Sequence, residues 1–287
     1  MKRKIIITTF MLVLSLFGVF TISASAEEEV SKDGIKYELR DDGTAIVTGY
    51  NAVELADNIV IPETVEGHTV TEIGALAFCF CEKLKGINQN SITGIGVGAF
   101  ACCTNLETVV MNSVTLIGDS AFSGCESLKS AKLSSAVTIG NQAFASCPLL
   151  DTVEIPSVVT IGECAFIYCY GLTSFSLPVS LKEVINDVFY DCTNLKTVYF
   201  QGDVPQGLRD ITFNICTALE EIFVRPEYED GYKAVFGSLQ DKVKGTYNIS
   251  GFTLSDGNIW IIIVGAVVIL GGVAAIVIAS KKKKTTI

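Results

Sequence analysis

Apolar positions recur along this chain in one fixed phrase, Ile-Gly-x-x-Ala-Phe-x-x-Cys-x-x-Leu. Ile73-Gly74, Ala77-Phe78, Cys81 and Leu84 begin the series. It continues through Ile95 to Leu106, Ile117 to Leu128, Ile139 to Leu150 and Ile161 to Leu172, at a constant spacing of 22 residues. Two looser units follow, Val184 with Val188-Phe189, Cys192 and Leu195, then Phe213, Cys216 and Leu219, where the spacing widens to 23 and 24. Between the phrases lie short alternating runs. In Thr152-Val153-Glu154-Ile155 the alternation predicts a strand with Val153 and Ile155 inward and Thr152 and Glu154 outward. A second short extended run ends at each Ile-Gly pair, where the glycine supplies a backbone turn that a side chain would obstruct. Ala-Phe-x-x-Cys reads as a single helical or 3-10 turn, with Phe and Cys three apart on one face.

One such unit cannot bury its own apolar face, and stacking about seven of them gives a continuous core with Phe and Leu ladders along the axis. A period of 20 to 29 residues is the leucine-rich-repeat range. The predicted fold class is therefore a leucine-rich-repeat-like solenoid, one strand plus one short helical or 3-10 turn per unit. The phrase resembles the leucine-rich repeats of the BspA-like bacterial surface-protein family, and the match covers most of residues 59–225. That resemblance implies a surface antigen or adhesin binding host or bacterial surface proteins, with no enzymatic activity in the repeats.

The flanks suggest caps, which a solenoid requires at its open ends. Lys36 to Val47 is two alternating runs joined by Asp41-Asp42-Gly43, a β-hairpin. It places an N-terminal capping segment at residues 27–58. Residues 226–245 carry Tyr228, Tyr232, Ala234, Val235 and Phe236 near helical spacing and read as a C-terminal capping helix. Residues 246–258 are a polar linker.

The chain ends set the compartment. Residues 1–26 read as a secretory signal, with Lys2, Arg3 and Lys4 before an apolar stretch and a small-residue site for cleavage after Ala26; an uncleaved signal anchor is the alternative. Ile259 to Ala279 is uncharged and, at about 1.5 Å per residue, spans roughly 30 Å, the thickness of a bilayer core. Trp260 suits the interface, and Lys281–Lys284 in the basic tail at residues 280–287 resist translocation. The expected topology is single-pass at the cell membrane, repeats outside and basic tail cytoplasmic. A basic tail after an apolar span also resembles a sortase sorting signal, but Thr253 to Asn258 holds no Leu-Pro-x-Thr-Gly, so a retained anchor is the preferred reading. Gly271, Ala275 and Ala279 form a small-residue face that could support a weak homodimer.

Net charge narrows the partners. The chain of 287 residues carries −10; setting aside Lys2, Arg3, Lys4 and Lys281–Lys284 leaves 14 basic residues against 31 acidic ones, about −17. Such a surface repels nucleic acid.

Ten cysteines in a secreted chain first suggest disulfides. Seven of them, however, share one repeat position, and stacking at roughly 4.7–4.9 Å with parallel Cβ vectors fits disulfide geometry badly. A reduced, buried ladder is expected instead. The off-pattern Cys79, Cys102 and Cys164 are expected to be more exposed, with a cross-link among them possible. No C-x-x-C pair accompanies the single histidine, His68, so no zinc site is expected. His68 reads as a solvated loop residue. No catalytic, cofactor or metal constellation is expected, and the chain is read as a non-enzyme.

Function should then sit on outward strand positions. One outward column runs Asn88, Val110, Lys132, Glu154, Ser176, Tyr199, Phe223; its neighbour is small and polar. Lys132, Glu154, Tyr199 and Phe223 form the candidate ligand face, exposed aromatics being favoured contact residues. The alternative is that Tyr199 and Phe223 pack against the C-terminal cap. Tyr168, Tyr170 and Tyr190 add an aromatic bias in the same half. Two functions are expected to compete: a membrane-anchored surface module binding an extracellular protein or glycan, and a structural envelope protein without a specific ligand.

Overall fold

A computed structural model describes residues 28–55 and 59–246. The expected signal, membrane span, basic tail and small-residue face fall outside the described residues, and so does nearly all of the linker. Among the described residues no helix is long and apolar enough to cross a membrane.

The repeats form a β-solenoid whose coils stack in register. One wall is a ten-stranded sheet. It begins with Glu28–Lys32, Ile35–Leu39 and Thr44–Tyr50, antiparallel to one another. Thr44–Tyr50 then pairs in parallel with His68–Ile73, and the wall continues as two-residue strands, Gly94–Ile95, Leu116–Ile117, Thr138–Ile139, Thr160–Ile161 and Glu183–Val184. Successive strands match residue for residue, Ile117 beside Ile139 and Ile139 beside Ile161. The N-terminal segment is thus a three-stranded antiparallel piece fused to the solenoid wall, larger than the expected hairpin. Its turn at Asp41-Asp42-Gly43 is fastened by Asp42 Oδ1, which accepts from the Thr44 backbone N–H at 2.9 Å and its hydroxyl at 2.6 Å.

A second wall carries the alternating strands. Gly86–Asn88, Thr108–Val110, Ser130–Lys132 and Thr152–Glu154 form one four-stranded parallel sheet. Ser174–Leu177, Thr197–Phe200, Glu221–Val224 and Val243–Gly245 form another. The break falls between Thr152–Glu154 and Ser174–Leu177, although the sequence period there is still 22. At this point the inward column changes from Ala131 and Val153 to Phe175, whose ring tilts against Phe166 and Phe189 at 4.9 and 4.8 Å. Val153 is left only partly buried.

The third wall departs from expectation. Ala-Phe-x-x-Cys is not helical in the regular units but a run of overlapping β-turns. In the first unit Ala77, Cys79 and Cys81 donate backbone N–H groups to the oxygens of Gly74, Leu76 and Phe78. The intervening N–H groups of Leu76, Phe78 and Phe80 reach the next coil, at Val97, Ala99 and Ala101. Half of the amides therefore close turns and half bind coil to coil, which a helix could not do. The alternation requires two left-handed residues per unit, such as Ser120 (φ 55°) with Gly124 (φ 72°), and Gln142 (φ 54°) with Ser146 (φ 56°). Only the last, drifted unit has a 3-10 turn, Asp210–Phe213.

The glycine of Ile-Gly is required for a different reason than a turn. Gly118, Gly140 and Gly162 do not have positive φ; a Cβ on Gly118 would lie 2.7 Å from the carbonyl carbon of Gly96 in the preceding coil, and one on Gly140 2.6 Å from Asp119 N. Coils meet backbone to backbone at this corner, leaving no room for a methyl group.

The repeat residues fill the interior. Phe78, Phe100, Phe122, Phe144, Phe166 and Phe189 are fully buried and stack with centroids 5.1 to 5.7 Å apart. Cys81, Cys103, Cys125, Cys147, Cys169, Cys192 and Cys216 are buried and reduced, while Cys79, Cys102 and Cys164 are partly exposed and also reduced. From Cys103 onward each ladder thiol donates to a Phe carbonyl of the preceding coil; the Cys125 Sγ to Phe100 O distance is 3.2 Å. The C-terminal segment contains Glu229–Val235 as its one α-helix, flanked by short 3-10 turns, and ends in Val243–Gly245, which adds a strand to the second wall. Residues 226–245 are thus a mixed helix and strand segment, not a helix throughout. Tyr232 seats it: its hydroxyl donates toward the oxygens of Gly202 and Asp203 at 3.0 and 2.9 Å.

Candidate functional site

The second wall displays the outward column. Register places Lys132 beside Glu154, and their charged ends meet at 3.0 Å with both side chains nearly half exposed. Tyr199 lies beside Phe223 in the other sheet, rings stacked at 5.3 Å and 23°. Both aromatics are half-buried. The break in the wall divides the column, so the four residues make a charged pair and an aromatic pair, not one continuous face. Beyond Phe223 the column continues with Lys244 on Val243–Gly245. The C-terminal segment therefore extends the face past the aromatic pair by one strand.

His68 is not in a loop. It starts His68–Ile73 directly after Glu66 (φ 47°) and Gly67 (φ 86°), a two-residue hairpin turn from Thr64–Val65. The ladder cysteines are poorly suited to chemistry. Burial pushes the Cys147 and Cys216 thiols up to about 12, and the others of the ladder shift the same way, so each stays protonated. The thiolate is the nucleophile and the metal ligand, so these groups serve packing and hydrogen bonding. Among the described residues no group of three His, Cys, Asp or Glu is placed to hold a metal.

The tyrosines noted for their aromatic bias lie on the turn wall, not on the outward strand column. Tyr168, Tyr170 and Tyr190 gather at one corner, with Tyr168 6.4 Å from Tyr170 and edge-on to Tyr190 at 6.1 Å. They come from three different repeat columns, so a search along any one column passes them by. Beside them is a shallow hollow of about 280 Å³ lined by Glu126, Ser146, Pro148, Tyr168 and Tyr170.

The sequence profile of the BspA type leucine rich repeat region matches this chain in six copies, over residues 54–160 and 137–250. The chain belongs to this family. Its BspA-type repeats account for the buried ladders described above. Among solved structures it is similar to a leucine rich cell surface protein of Faecalibacterium prausnitzii, at 21% identity over 69% of this chain and 70% of that one, with a TM-score of 0.47. It is also similar to the T. pallidum leucine rich repeat protein (24%, covering 72% and 96%, TM-score 0.47) and to a leucine-rich repeat protein of Bacteroides ovatus (26%, covering 78% and 69%, TM-score 0.45). No curated protein matches the chain.

Proposed function

We propose that this chain is a membrane-anchored, non-catalytic surface module whose solenoid binds an extracellular protein or glycan. The observation that carries the reading is the division of labour between columns. Residues that define the BspA-type repeat point inward, while the outward column changes from unit to unit and carries the half-buried stack of Tyr199 on Phe223 followed by Lys244. Paired aromatics on a rigid sheet supply contact area at little entropic cost. The apolar stretch Ile259 to Ala279 followed by Lys281–Lys284 supports the anchor, with the repeats outside.

The full chain should bind saturably to at least one fraction of host or bacterial surface extract. Tyr199→Ala with Phe223→Ala should weaken that binding at least tenfold if the outward column carries it. Absence of binding across host and bacterial fractions would leave the structural envelope role as the better account.

A further inference from the structure

We infer that the hollow beside Tyr168 and Tyr170 is a saccharide subsite, selecting neutral or N-acetylated sugar rings over acidic ones. The inference rests on the reading of the chain as a binding module and names a second contact region on it.

Repetition makes the hollow. Glu126, Pro148 and Tyr170 occupy one column, 22 residues apart, and Gly124, Ser146 and Tyr168 the column beside it. In the third and fourth units the second of these columns carries little bulk, Gly124 and Ser146, and in the fifth both columns carry tyrosines. The step from small to large leaves a concave corner with ring walls and Pro148 beside them. Its backbone is held on both sides: Tyr168 N–H donates to Tyr190 O at 3.1 Å, and Asn194 Nδ2 to Tyr170 O at 2.8 Å.

Tyr168 also holds a left-handed backbone, φ 61°. Gly124 meets the same requirement in its column without strain. The turn wall imposes a left-handed residue at this position in every unit, Phe80 (φ 60°) and Ser146 (φ 56°) among them, so the fold sets the backbone and leaves the outward side chain free to vary. The exposures of Tyr168 and Tyr170, 37% and 39%, show that the two rings are not core residues.

The chemistry of the lining fits a sugar. Pyranose rings present C–H faces that pack on tyrosine and proline, and hydroxyls that pair with Ser146, the phenol groups and the Glu126 carboxylate. No cation lines the hollow. Glu126 would repel a uronic or sialic acid carboxylate, which leaves neutral and N-acetylated sugars. A hollow of about 280 Å³ is near the lower end of small-ligand sites.

The test is an array of immobilised oligosaccharides ending in neutral hexose, N-acetylhexosamine or sialic acid, with oligolysine peptide as the cationic control, probed with the full chain. Binding to neutral or N-acetylated termini, weak or absent on sialylated ones, is expected. Tyr170→Ala and Tyr168→Gly should each reduce it at least tenfold. Tyr168→Gly is the informative variant, because glycine suits the left-handed backbone: its melting temperature should equal or exceed that of the unmodified chain, so loss of binding could not be ascribed to misfolding. Preference for sialylated sugars or for oligolysine, silence on the whole array, or binding indifferent to both tyrosine variants would overturn the subsite. If binding to surface extract persists while the array is silent, the module stands and the sugar subsite falls. If extract binding is also absent, the module reading itself fails.

Discussion

Truncating Phe122 to alanine tests whether the ring stack holds the solenoid together as a line of nearest neighbours. Phe122 is fully buried, with Phe100 and Phe144 each 5.1 Å away. Loss of a buried phenylalanine costs about 3–5 kcal/mol, cavity included. Each lost stack adds about 0.5–1.5 kcal/mol beyond buried area. The coils are pinned by backbone hydrogen bonds on all sides, so collapse into the cavity is limited, and a total of about 4–8 kcal/mol follows. Phe213 at the far end has one parallel neighbour, Phe189 at 5.6 Å, a tilted contact with Phe236 at 6.0 Å and an edge contact with Phe200 at 6.5 Å, so Phe213→Ala should cost a comparable amount. Position along the array should also change the form of the transition. In a solenoid each coil touches only its neighbours, so weakening a central interface uncouples the two halves, whereas weakening an end frays that end alone. Urea titration followed by far-ultraviolet circular dichroism reads both quantities. Phe122→Ala should lower the midpoint and flatten the transition, while Phe213→Ala shifts it with the slope largely retained. A loss below about 2 kcal/mol for Phe122→Ala, or an unchanged slope with one sharp transition, would refute nearest-neighbour coupling through this stack.

Two further perturbations probe other walls. Because burial raises the folded thiol of Cys147 from 9.0 to about 12, the unfolded chain loses that proton first as pH rises. The stabilisation is complete below about pH 9 and is lost between pH 9 and 12, by about 1.4 kcal/mol per pH unit for each such thiol. Urea midpoints measured from pH 8 to 11 should fall steeply, and Cys147→Ala should be less stable at pH 8 but show a shallower fall; an identical pH slope in the variant would contradict the assignment. Gly140→Ala should prevent stable folding, since its methyl carbon would sit 2.6 Å from backbone and carboxylate atoms of Asp119. Gly43→Ala, with nothing within 4 Å and φ +82°, should cost only about 1 kcal/mol of backbone strain, and comparable soluble yields for the two variants would count against the close-approach account.

The inward half of the architecture was legible because packing fixes residue identity. Phe, Cys, Leu and the Ile-Gly glycine each occupy a position where volume or closeness admits few alternatives, so they recur at 22 and announce the coil. The turn wall differs from the helical turn its residue spacing predicts because its conformation is dictated by amides reaching the next coil. The left-handed positions hold Leu76, Gly98, Ser120, Gln142, Cys164 and Asp187, a set with no shared side-chain chemistry. Local propensity could not announce them, since intercoil hydrogen bonds override it. The break in the second wall was silent for a related reason: spacing from Thr152 to Ser174 stays at 22, and only the bulk of Phe175 after Ala131 and Val153 marks it.

The same contrast explains where ligand chemistry has to be sought. In a stacked array a side chain is constrained along its column by the coils before and after it, so departures from column character carry information that residue type alone does not. Lys132 and Glu154 are a modest departure, a half-exposed ion pair contributing about 0–1 kcal/mol and readily rationalised as solvation. Tyr199 on Phe223 is a larger one, since preceding units place Lys132, Glu154 and Ser176 in that column. Tyr168 is another, an exposed ring in a column that holds Gly124 and Ser146 in the two preceding units. Backbone cost without packing return distinguishes Tyr168 from Leu76 and Phe80 less sharply than its surroundings do. Those two are also exposed and left-handed; Tyr168 stands over a hollow furnished with hydroxyls and a carboxylate. The tyrosine corner therefore joins exposed rings and polar partners at one point of the solenoid, whereas the stacked pair on the sheet offers contact area alone.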